Sequence, residues 1–332
     1  MKKIAVLLAA LLCVAALNAQ RVDRNEAKKL MKILDQPASD GFKNYERLGL
    51  NEDEFGYMRK SYENLIFLEG LKWDTDSDGV YHLTYLSWDK KGISGVLDLS
   101  GFTMLKEVEC DDGELTEVNL SGCKEMYWLS CTDNRIEKLN LTGCNKLNSV
   151  FCSSNSIKRI DVKHCKWLRN LFCSSNKLTE LDLTGCPVLQ DLYCGSNSLY
   201  ELNLSKCPVV STISCYGNRL ERLDITGCYS IVEFDCASNR LTEIDLSGRV
   251  AMYEADCSSN QLRSLNISGC AALFELDCAD NYLTSLDVSE APVLYDLDCT
   301  GNDIPLESLP VKRFLNLNHD DTSDEVYLEV AM

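Results

Sequence analysis

Apolar residues recur along most of this chain with a period of 21 residues. The repeat from residue 168 to residue 188 reads LRNLFCSSNKLTELDLTGCPV. In it, Leu171 and Cys173 are separated by one residue, which is the spacing of a short strand with both side chains on one face. Asn176 follows at a predicted turn, where its amide can satisfy backbone groups of its own coil and of the next one. The period therefore predicts stacked coils whose strands build one parallel sheet, with a core that no single coil could bury alone.

Cysteine and asparagine follow the same period. Nine asparagines occur at steps of 21 from Asn134 to Asn302, and Gly113 holds that place in the first repeat. Two cysteine series together contain every cysteine except Cys13, and this regularity identifies a repeat fold. The first series is Cys110, Cys131, Cys152, Cys173, Cys194, Cys215, Cys236, Cys257, Cys278 and Cys299. The second is Cys123, Cys144, Cys165, Cys186, Cys207, Cys228 and Cys270, with Arg249 and Ala291 in its two gaps.

The repeat matches the pattern L-x-x-L-x-(L/C)-x-x-N-x-L, which occurs with periods of about 20–29 residues. Over about residues 83–309 the chain resembles the bacterial internalin-type leucine-rich-repeat proteins, especially those with a cysteine ladder in 21-residue repeats. The resemblance implies an α+β curved solenoid of about ten coils with a concave parallel sheet. It also implies extracellular or cell-surface recognition of a protein or a glycan. Residues 311–332 contain no sortase-type wall anchor, and an internalin cap is not evident.

Residues 1–19 are predicted to be a signal peptide. Lys2 and Lys3 precede an apolar run, residues 4–17, that is too short for a membrane span of about 20 residues. Cleavage is expected between Ala19 and Gln20, which would leave an extracytoplasmic protein (periplasmic, cell-surface or secreted) with 17 cysteines and a net charge of −20. The alternative is a lipoprotein anchored at Cys13, although two leucines precede that residue where a small one is needed. No later run of about 18 apolar residues occurs, so a soluble mature chain without an integral membrane segment is expected.

Both ends of such a solenoid need caps, since terminal coils would otherwise expose apolar faces. Residues 20–82 are predicted to form the N-terminal cap, residues 83–309 the solenoid, and residues 310–332 a C-terminal cap or tail. Apolar residues from Ala27 to Leu34 have helical spacing and end before Pro37. Asn51 with Glu54 is typical of a helix N-terminus. Residues 71–88 are predicted to form a hairpin, and residues 326–330 alternate like a closing strand.

The charge balance argues against two classes of partner. Lys and Arg number 33 and Asp and Glu 51, which gives a net charge of −18. Nucleic-acid affinity depends on basic residues that release counterions, and anionic membranes attract the same residues. We therefore expect neither a nucleic acid nor a membrane surface as partner, and the sequence indicates no cofactor.

Three interpretations of the cysteine series stay open: core filler, disulfides and a metal site. An extracytoplasmic compartment permits disulfides. However, side chains in register keep their Cβ atoms near 4.8 Å apart, beyond the usual spacing of about 3.5–4.5 Å, and 17 thiols cannot all pair within one chain. A straight row of thiols cannot surround a zinc ion. Core filler is favoured, with inert thiols whose pKa is raised by burial.

The remaining candidate chemistry is sparse. Asp74, Asp76 and Asp78 resemble the first half of a calcium loop, but Tyr85 stands where that loop needs a glutamate, and a plain hairpin turn explains them as well. His164 takes the place of a glycine at a turn, and no orienting carboxylate is in register with it. No nucleophile elbow, zinc-protease motif, P-loop or dinucleotide fingerprint occurs, so the chain is predicted not to be an enzyme.

The outward side of the predicted strands carries the candidate binding residues. Inward side chains hold the fourth and sixth places of each repeat, so the third, fifth and seventh places face the concave surface. An exposed aromatic column is predicted at the fifth place, flanked by Trp128 and Tyr216, and eight carboxylates form two adjacent columns beyond it. The column residues are Phe151, Phe172 and Tyr193. The carboxylates are Glu233, Asp235, Glu254, Asp256, Glu275, Asp277, Asp296 and Asp298.

Two functions remain open at this point. The favoured one is a non-catalytic recognition module, expected to be a monomer, that holds a basic or mixed protein surface on its concave face. The alternative is glycan capture, with the aromatic column stacking on sugar rings. A third interpretation is purely structural: an exposed sheet tolerates strand-forming aromatic residues, and acidic residues keep it soluble.

Overall fold

The computed structural model describes residues 21–305, 308–309, 316–318 and 326–327. The predicted signal peptide, its cleavage site and Cys13 lie outside these ranges. No helix in the described ranges is long and apolar enough to cross a membrane.

A helical unit lies near the start of the described part of the chain. Its helices are α1 (Arg24–Leu34), α2 (Asn44–Arg47) and α3 (Glu52–Lys60), followed by a 3₁₀ helix (Tyr62–Phe67). Asp23 caps α1 by accepting bonds from the amides of Asn25 and Glu26, both at 2.9 Å. The predicted capping at α3 is confirmed, because Asn51 and Glu54 each accept a bond from the other's backbone amide. The apolar face of α1 is buried, and α1 ends before Pro37 as predicted.

Most strands are three residues long, which confirms the short strands that the repeat pattern predicts. In chain order they are β1 (Arg21–Val22), β2 (Leu71–Thr75), β3 (Val80–Ser87), β4 (Ser94–Asp98), β5 (Glu107–Glu109), β6 (Glu114–Asn119), β7 (Trp128–Ser130), β8 (Lys138–Asn140), β9 (Ser149–Phe151), β10 (Asn170–Phe172), β11 (Asp191–Tyr193), β12 (Glu201–Asn203), β13 (Thr212–Ser214), β14 (Arg222–Asp224), β15 (Glu233–Asp235), β16 (Ile244–Asp245), β17 (Glu254–Asp256), β18 (Leu265–Asn266), β19 (Glu275–Asp277), β20 (Asp296–Asp298), β21 (Asn316–Asn318) and β22 (Val326–Tyr327).

One long sheet runs the length of the molecule. Within the described residues it has 15 strands, in the order β1-β3-β5-β7-β9-β10-β11-β13-β15-β17-β19-β20-β21-β22, with β2 beside β3. Its pairs are parallel except β2 with β3 and β21 with β22. Between β9 and β20 the register advances by 21 residues per strand, so that Phe172 lies opposite Phe151 and Tyr193. The predicted solenoid with a parallel sheet is therefore confirmed.

The opposite side of the coils carries short ladders. They are β4-β6-β8, β12-β14 and β16-β18. At the start of the chain, β2 and β3 form the predicted hairpin, and β3 continues into the long sheet by pairing with β5. At the far end, the predicted closing strand is present as β22, antiparallel to β21, while residues 328–330 lie outside the described ranges.

The interior is filled by the fourth and sixth places of every repeat. Leu171 and Cys173 are fully buried, as are their equivalents in neighbouring coils, which confirms the predicted inward places. Asn176 donates from its amide to the carbonyls of Cys173 and Ser174 in its own coil and to that of Cys152 in the preceding one. Its amide oxygen accepts a bond from the backbone of Ile157. The prediction that this asparagine bonds to the next coil is wrong, since its partners outside its own coil lie in the preceding coil.

Thiols of the second cysteine series also donate hydrogen bonds to backbone carbonyls of the preceding coil. Cys228 points its thiol at the carbonyl of Leu204 in the preceding coil, at 3.2 Å. The thiol and the carbonyl that accepts from it are therefore 24 residues apart in the sequence. The Asn176 amide and the Cys152 carbonyl are separated by the same number of residues. Arg249, which replaces a cysteine of this series, keeps the pattern by donating to the carbonyl of Ile225 at 3.1 Å.

The 17 cysteines in the described ranges are all buried, and none of them forms a disulfide there. Burial raises the pKa of the thiol at Cys152 to about 12, and it raises the thiol pKa of Cys173 and Cys194 as well. Thiolates are therefore scarce at neutral pH, and we expect these cysteines to react slowly in the folded protein.

We expect Cys194→Ser to destabilise the fold by about 1–3 kcal/mol, because it buries a hydroxyl where the thiol makes no hydrogen bond. Cys228→Ser is the matched control, since its hydroxyl can donate to the Leu204 carbonyl, and its cost should be smaller. Urea unfolding measures both free energies.

Thiol labelling after unfolding without reductant should recover nearly all of the cysteines as free thiols. Recovery of only one to three free thiols would show that disulfides link the coils.

Candidate recognition surface

Four aromatic rings form a continuous stack on the outward side of the long sheet. We call Trp128, Phe151, Phe172 and Tyr193 the aromatic column. Successive ring centroids are 4.8, 4.8 and 4.5 Å apart; the first two pairs are tilted, at 42° and 36°, and the Phe172 and Tyr193 rings are stacked, at 20°. Trp128 holds the third place of its repeat and Phe151 the fifth place of the next, so the stack begins with a diagonal step.

The aromatic column is half-buried, whereas the sequence predicted exposed rings. The difference arises because each ring covers part of its neighbour at stacking distance. Stacked pairs of this kind contribute about 0.5–1.5 kcal/mol beyond their buried area. The column therefore stabilises the sheet while it still presents ring edges to the concave side.

Tyr216 lies beside the aromatic column and takes no part in its stack. It holds the seventh place of its repeat and is exposed. A Cβ atom at Gly195 would lie 2.5 Å from the Tyr216 ring, so glycine at that position lets the ring rest against the backbone of the preceding coil.

A cleft opens at the Trp128 end of the column. Its lining includes Trp128 together with the carboxylates of Asp89, Glu109 and Asp111. Asp111 accepts bonds from the Ser130 hydroxyl at 2.7 and 2.8 Å and from the Thr132 amide at 2.6 Å. Burial, followed by the nearby Asp89 charge, outweighs these bonds and raises the pKa of Asp111. An aromatic face beside several carboxylates suits a lysine or arginine side chain.

The eight predicted carboxylates form two parallel columns on the later coils. We call the third-place residues the outer acidic column (Glu233, Glu254, Glu275 and Asp296) and the fifth-place residues the inner acidic column (Asp235, Asp256, Asp277 and Asp298). Members of each column lie directly opposite one another on neighbouring strands.

The two acidic columns differ in how they are held. In the inner column, one oxygen of each aspartate accepts the backbone amide two residues later, as Asp256 does from Ser258 at 2.9 Å. In the outer column, the three glutamates are exposed and have no lysine or arginine within 4.0 Å in the described part of the chain. The glutamate carboxylates of the outer column are therefore held less firmly by the protein than the aspartate carboxylates of the inner column.

Burial and repulsion between neighbouring carboxylates raise the pKa of residues in both acidic columns. Burial, reinforced by the charges of Asp256 and Asp298, raises the pKa of Asp277 to about 6. Burial and then the neighbouring glutamates raise the pKa of Glu254. A raised carboxyl pKa favours the protonated folded state, so the stability that Asp277 contributes at low pH is lost as the pH rises through about 6. A cationic partner would relieve this repulsion at neutral pH.

A second row of apolar side chains, which the sequence reasoning missed, lies just before the strands of the later coils. It consists of one valine and three stacked aromatic residues, and each member holds the second place of its repeat. We call this row the flank column: Val232, Tyr253, Phe274 and Tyr295. Its rings are nearly parallel, with centroids 5.2 and 5.3 Å apart. The aromatic residues of this column recur at steps of 21 in the sequence, but strand alternation predicts outward side chains only at the third, fifth and seventh places.

The acidic turn of the hairpin is engaged by the protein itself. One oxygen of Asp76 accepts the amides of Asp78 and Val80, both at 2.9 Å, and the other lies 3.2 Å from His82. Among the described residues, no group of three acidic, histidine or cysteine side chains is placed to hold a metal ion. These contacts are those of the plain hairpin turn that was the alternative to a calcium loop.

His82 connects the hairpin to α1 through Glu26, which is buried. The ring lies 2.9 Å from one Glu26 oxygen, and the other accepts the Leu83 amide at 2.8 Å. Burial lowers the pKa of His82, but the hydrogen bond and charge of Glu26 outweigh it and the net shift is upward. This contact joins α1 to the hairpin; His164 lies far from it in sequence at an exposed turn.

No protein-family model matches the chain, and no curated protein matches its sequence. Solved structures do match. The functional domain of InlJ from Listeria monocytogenes, which includes a cysteine ladder, is 25% identical with a TM-score of 0.51, over 70% of this chain and 62% of that one. This chain thus spans about three fifths of the length of that structure.

Two further matches show the fold alone. The internalin InlF from Listeria monocytogenes is 12% identical with a TM-score of 0.57, over 72% of this chain and 80% of that one. The plant peptide hormone receptor RGFR1, solved in complex with RGF2, is 19% identical with a TM-score of 0.54, over 69% of this chain and 46% of that one.

Proposed function

We propose that this leucine-rich-repeat protein, which resembles the cysteine-ladder internalins, is a non-catalytic recognition protein that binds a protein partner on its concave face. The observation that carries the proposal is the aromatic column, four rings in continuous contact on the outward side of the sheet. Aromatic residues at the centre of an interface commonly supply most of its binding energy. Among structures of the same fold, RGFR1 was solved with a peptide hormone.

The stacking favours a protein over a glycan as the ligand. A sugar ring binds an aromatic residue by lying on an open face. Phe151 and Phe172 each have a neighbouring ring on both sides, at 4.5–4.8 Å, so these rings offer mainly their edges. Edges arranged along a strip suit the aliphatic and aromatic side chains of a protein, which pack against them edge to face.

The charges favour a partner with a basic or mixed surface. The acidic columns continue the concave face beyond Tyr193, and the acidic cleft lies at the opposite end of the aromatic column. A partner that places apolar side chains on the rings and lysine or arginine at both ends would match the whole surface. Charges outside the centre of an interface mainly increase the association rate.

The location proposed is extracytoplasmic, in an adhesion or other surface-interaction role, with the protein acting as a monomer. The apolar run at residues 4–17 and the cleavage pattern at Ala19 support export. The resemblance of the repeats to the internalin type, which implies extracellular or cell-surface recognition, supports the same location. The net charge of −20 expected for the chain after cleavage opposes self-association.

A parallel binding screen tests the proposal. The chain from Gln20 onward is applied to a glycan array and, separately, cross-linked to cell-surface proteins, each beside a variant with alanine at Phe151, Phe172 and Tyr193. We expect a protein that the wild type captures and the triple variant does not. Glycan binding that the triple variant loses would show that the sugar alternative is correct. Equal capture of the same proteins by both forms would remove the aromatic column from the site.

A further inference from the structure

The flank column is an exposed apolar strip outside the aromatic column. Tyr253 and Tyr295 expose 46% and 40% of their surfaces, and Val232 continues the strip one coil earlier. The interplanar angles are 4° and 11°, so the three rings form a regular ladder with Phe274 in the middle. Contiguous apolar surface of this kind on a soluble protein commonly marks a contact site.

The flank column runs beside the outer acidic column. Tyr253 directly precedes Glu254 in the chain, and Phe274 directly precedes Glu275. In an earlier coil, Tyr127 holds the same place and donates its hydroxyl to Glu107 of the preceding coil, so the two places lie within hydrogen-bond reach. The Tyr253 and Tyr295 hydroxyls have no such partner in the described part of the chain. An apolar strip and a row of glutamates without a lysine or arginine partner in the described part of the chain therefore share one edge.

We propose that the flank column and the outer acidic column together bind a basic amphipathic α-helix laid along the solenoid axis. The inference rests on the proposed function, since it assigns the kind of partner segment that this part of the protein takes. An α-helix repeats every ~5.4 Å, and the rings repeat every 5.2–5.3 Å. One helical turn therefore matches one coil. Apolar side chains at i, i+3 or i+4, and i+7 would cover Tyr253, Phe274 and Tyr295, while lysines of the same turns meet Glu254 and Glu275.

Other occupants fit less well. A second copy of this chain would bring two acidic surfaces together, each on a molecule with a net charge of −18. A sugar would find both faces of Phe274 covered by Tyr253 and Tyr295. A basic helix satisfies the apolar strip and the carboxylates at once.

A fluorescent 18-residue peptide of leucine and lysine, with leucines at helical spacing, is the probe. Fluorescence anisotropy with the whole mature chain gives its Kd. We expect Phe274→Ala to weaken binding at least tenfold, and Glu254→Gln with Glu275→Gln at least fivefold at low salt. Tyr282→Ala is the matched control, a 63% exposed tyrosine of a later turn outside both columns, and should change Kd less than twofold. A shuffled peptide of the same composition should bind at least tenfold more weakly than the amphipathic one.

Three outcomes would overturn the inference. Equal binding of the shuffled peptide would show a purely electrostatic contact. Loss of binding in Phe172→Ala but not in Phe274→Ala would move the helix to the aromatic column and leave the proposed function standing. A dimer in sedimentation velocity that Phe274→Ala dissociates would show that the flank binds a second copy. If Phe274→Ala fails to fold by circular dichroism, Tyr253→Ser with Tyr295→Ser carries the same expectation, since both rings end the ladder and are exposed.

Discussion

Phe172→Ala is expected to weaken binding of the protein partner at least tenfold. The ring lies inside the aromatic column, between Phe151 at 4.8 Å and Tyr193 at 4.5 Å. Its removal deletes contact area at the centre of the proposed interface and also separates Tyr193 from the remaining pair of Trp128 and Phe151. Truncation of a central aromatic anchor commonly costs about 2 kcal/mol or more in binding free energy. Surface plasmon resonance with the captured partner measures the change, and the loss should appear mainly as faster dissociation.

The same substitution should lower the melting temperature modestly, because two stacked contacts worth about 0.5–1.5 kcal/mol each are lost from the free protein. Trp167→Ala is the matched control. This tryptophan is 62% exposed on a turn outside the column, so both affinity and melting temperature should stay close to those of the wild type. Unchanged affinity in Phe172→Ala, with the expected fall in melting temperature, would assign the column a structural role alone.

A variant with fewer charges tests whether the inner acidic column changes the association rate rather than the dissociation rate. Asp256→Asn with Asp277→Asn keeps the oxygen that accepts the backbone amide two residues later while removing two charges. Association should become slower and less dependent on salt, with dissociation nearly unchanged.

Asn218→Ala is expected to reduce the free energy of unfolding by about 3 kcal/mol or more. The side chain is only 8% exposed. It donates to the carbonyls of Cys194, Cys215 and Tyr216 at 3.0–3.3 Å, and its oxygen accepts the Leu199 amide at 3.0 Å. Alanine would leave several buried backbone groups in two coils without partners, and each such group costs about 1–3 kcal/mol.

Urea unfolding followed by circular dichroism measures this loss. Asn203→Ala is the control, since Asn203 is exposed and accepts only local bonds, from the Ser205 amide at 2.9 Å and the Ser205 hydroxyl at 2.7 Å. Its cost should stay below about 1 kcal/mol, because water can replace those bonds. A loss of less than about 1 kcal/mol in Asn218→Ala would show that neighbouring coils hold together without the asparagine ladder. Because each coil contacts mainly its neighbours, the damage should concentrate near the mutated coil.

Much of the fold is readable from the sequence because a solenoid repeats its contacts. The spacing of Leu171 and Cys173 identifies a strand and its inward face, and the 21-residue step then fixes which residues lie opposite one another. For this reason the alignment of Phe151, Phe172 and Tyr193 in one column on successive coils follows from their positions alone. The same logic predicts the columns of carboxylates from Glu233 to Asp298.

Side-chain direction is harder to read. The spacing shows that Asn176 lies at a turn but not that it bonds to the preceding coil, because that depends on how the backbone turns after the strand. Similarly, Trp128 joins the stack from the third place because its large ring reaches diagonally to Phe151. The flank column was missed because the second place lies before the strand, where alternation no longer specifies which side chains are outward.

The coil, its register and the composition of each column can be read from the sequence, because these depend on a strict period and on which side of a strand a residue occupies. The tertiary structure sets how those columns behave. It half-buried the aromatic rings against each other, raised the pKa of Asp277 to about 6 through burial and neighbouring charges, and aligned Tyr253, Phe274 and Tyr295 in a parallel ladder. Burial and ring orientation depend on side chains from at least three coils at once, and the pattern within one repeat carries no information about that packing.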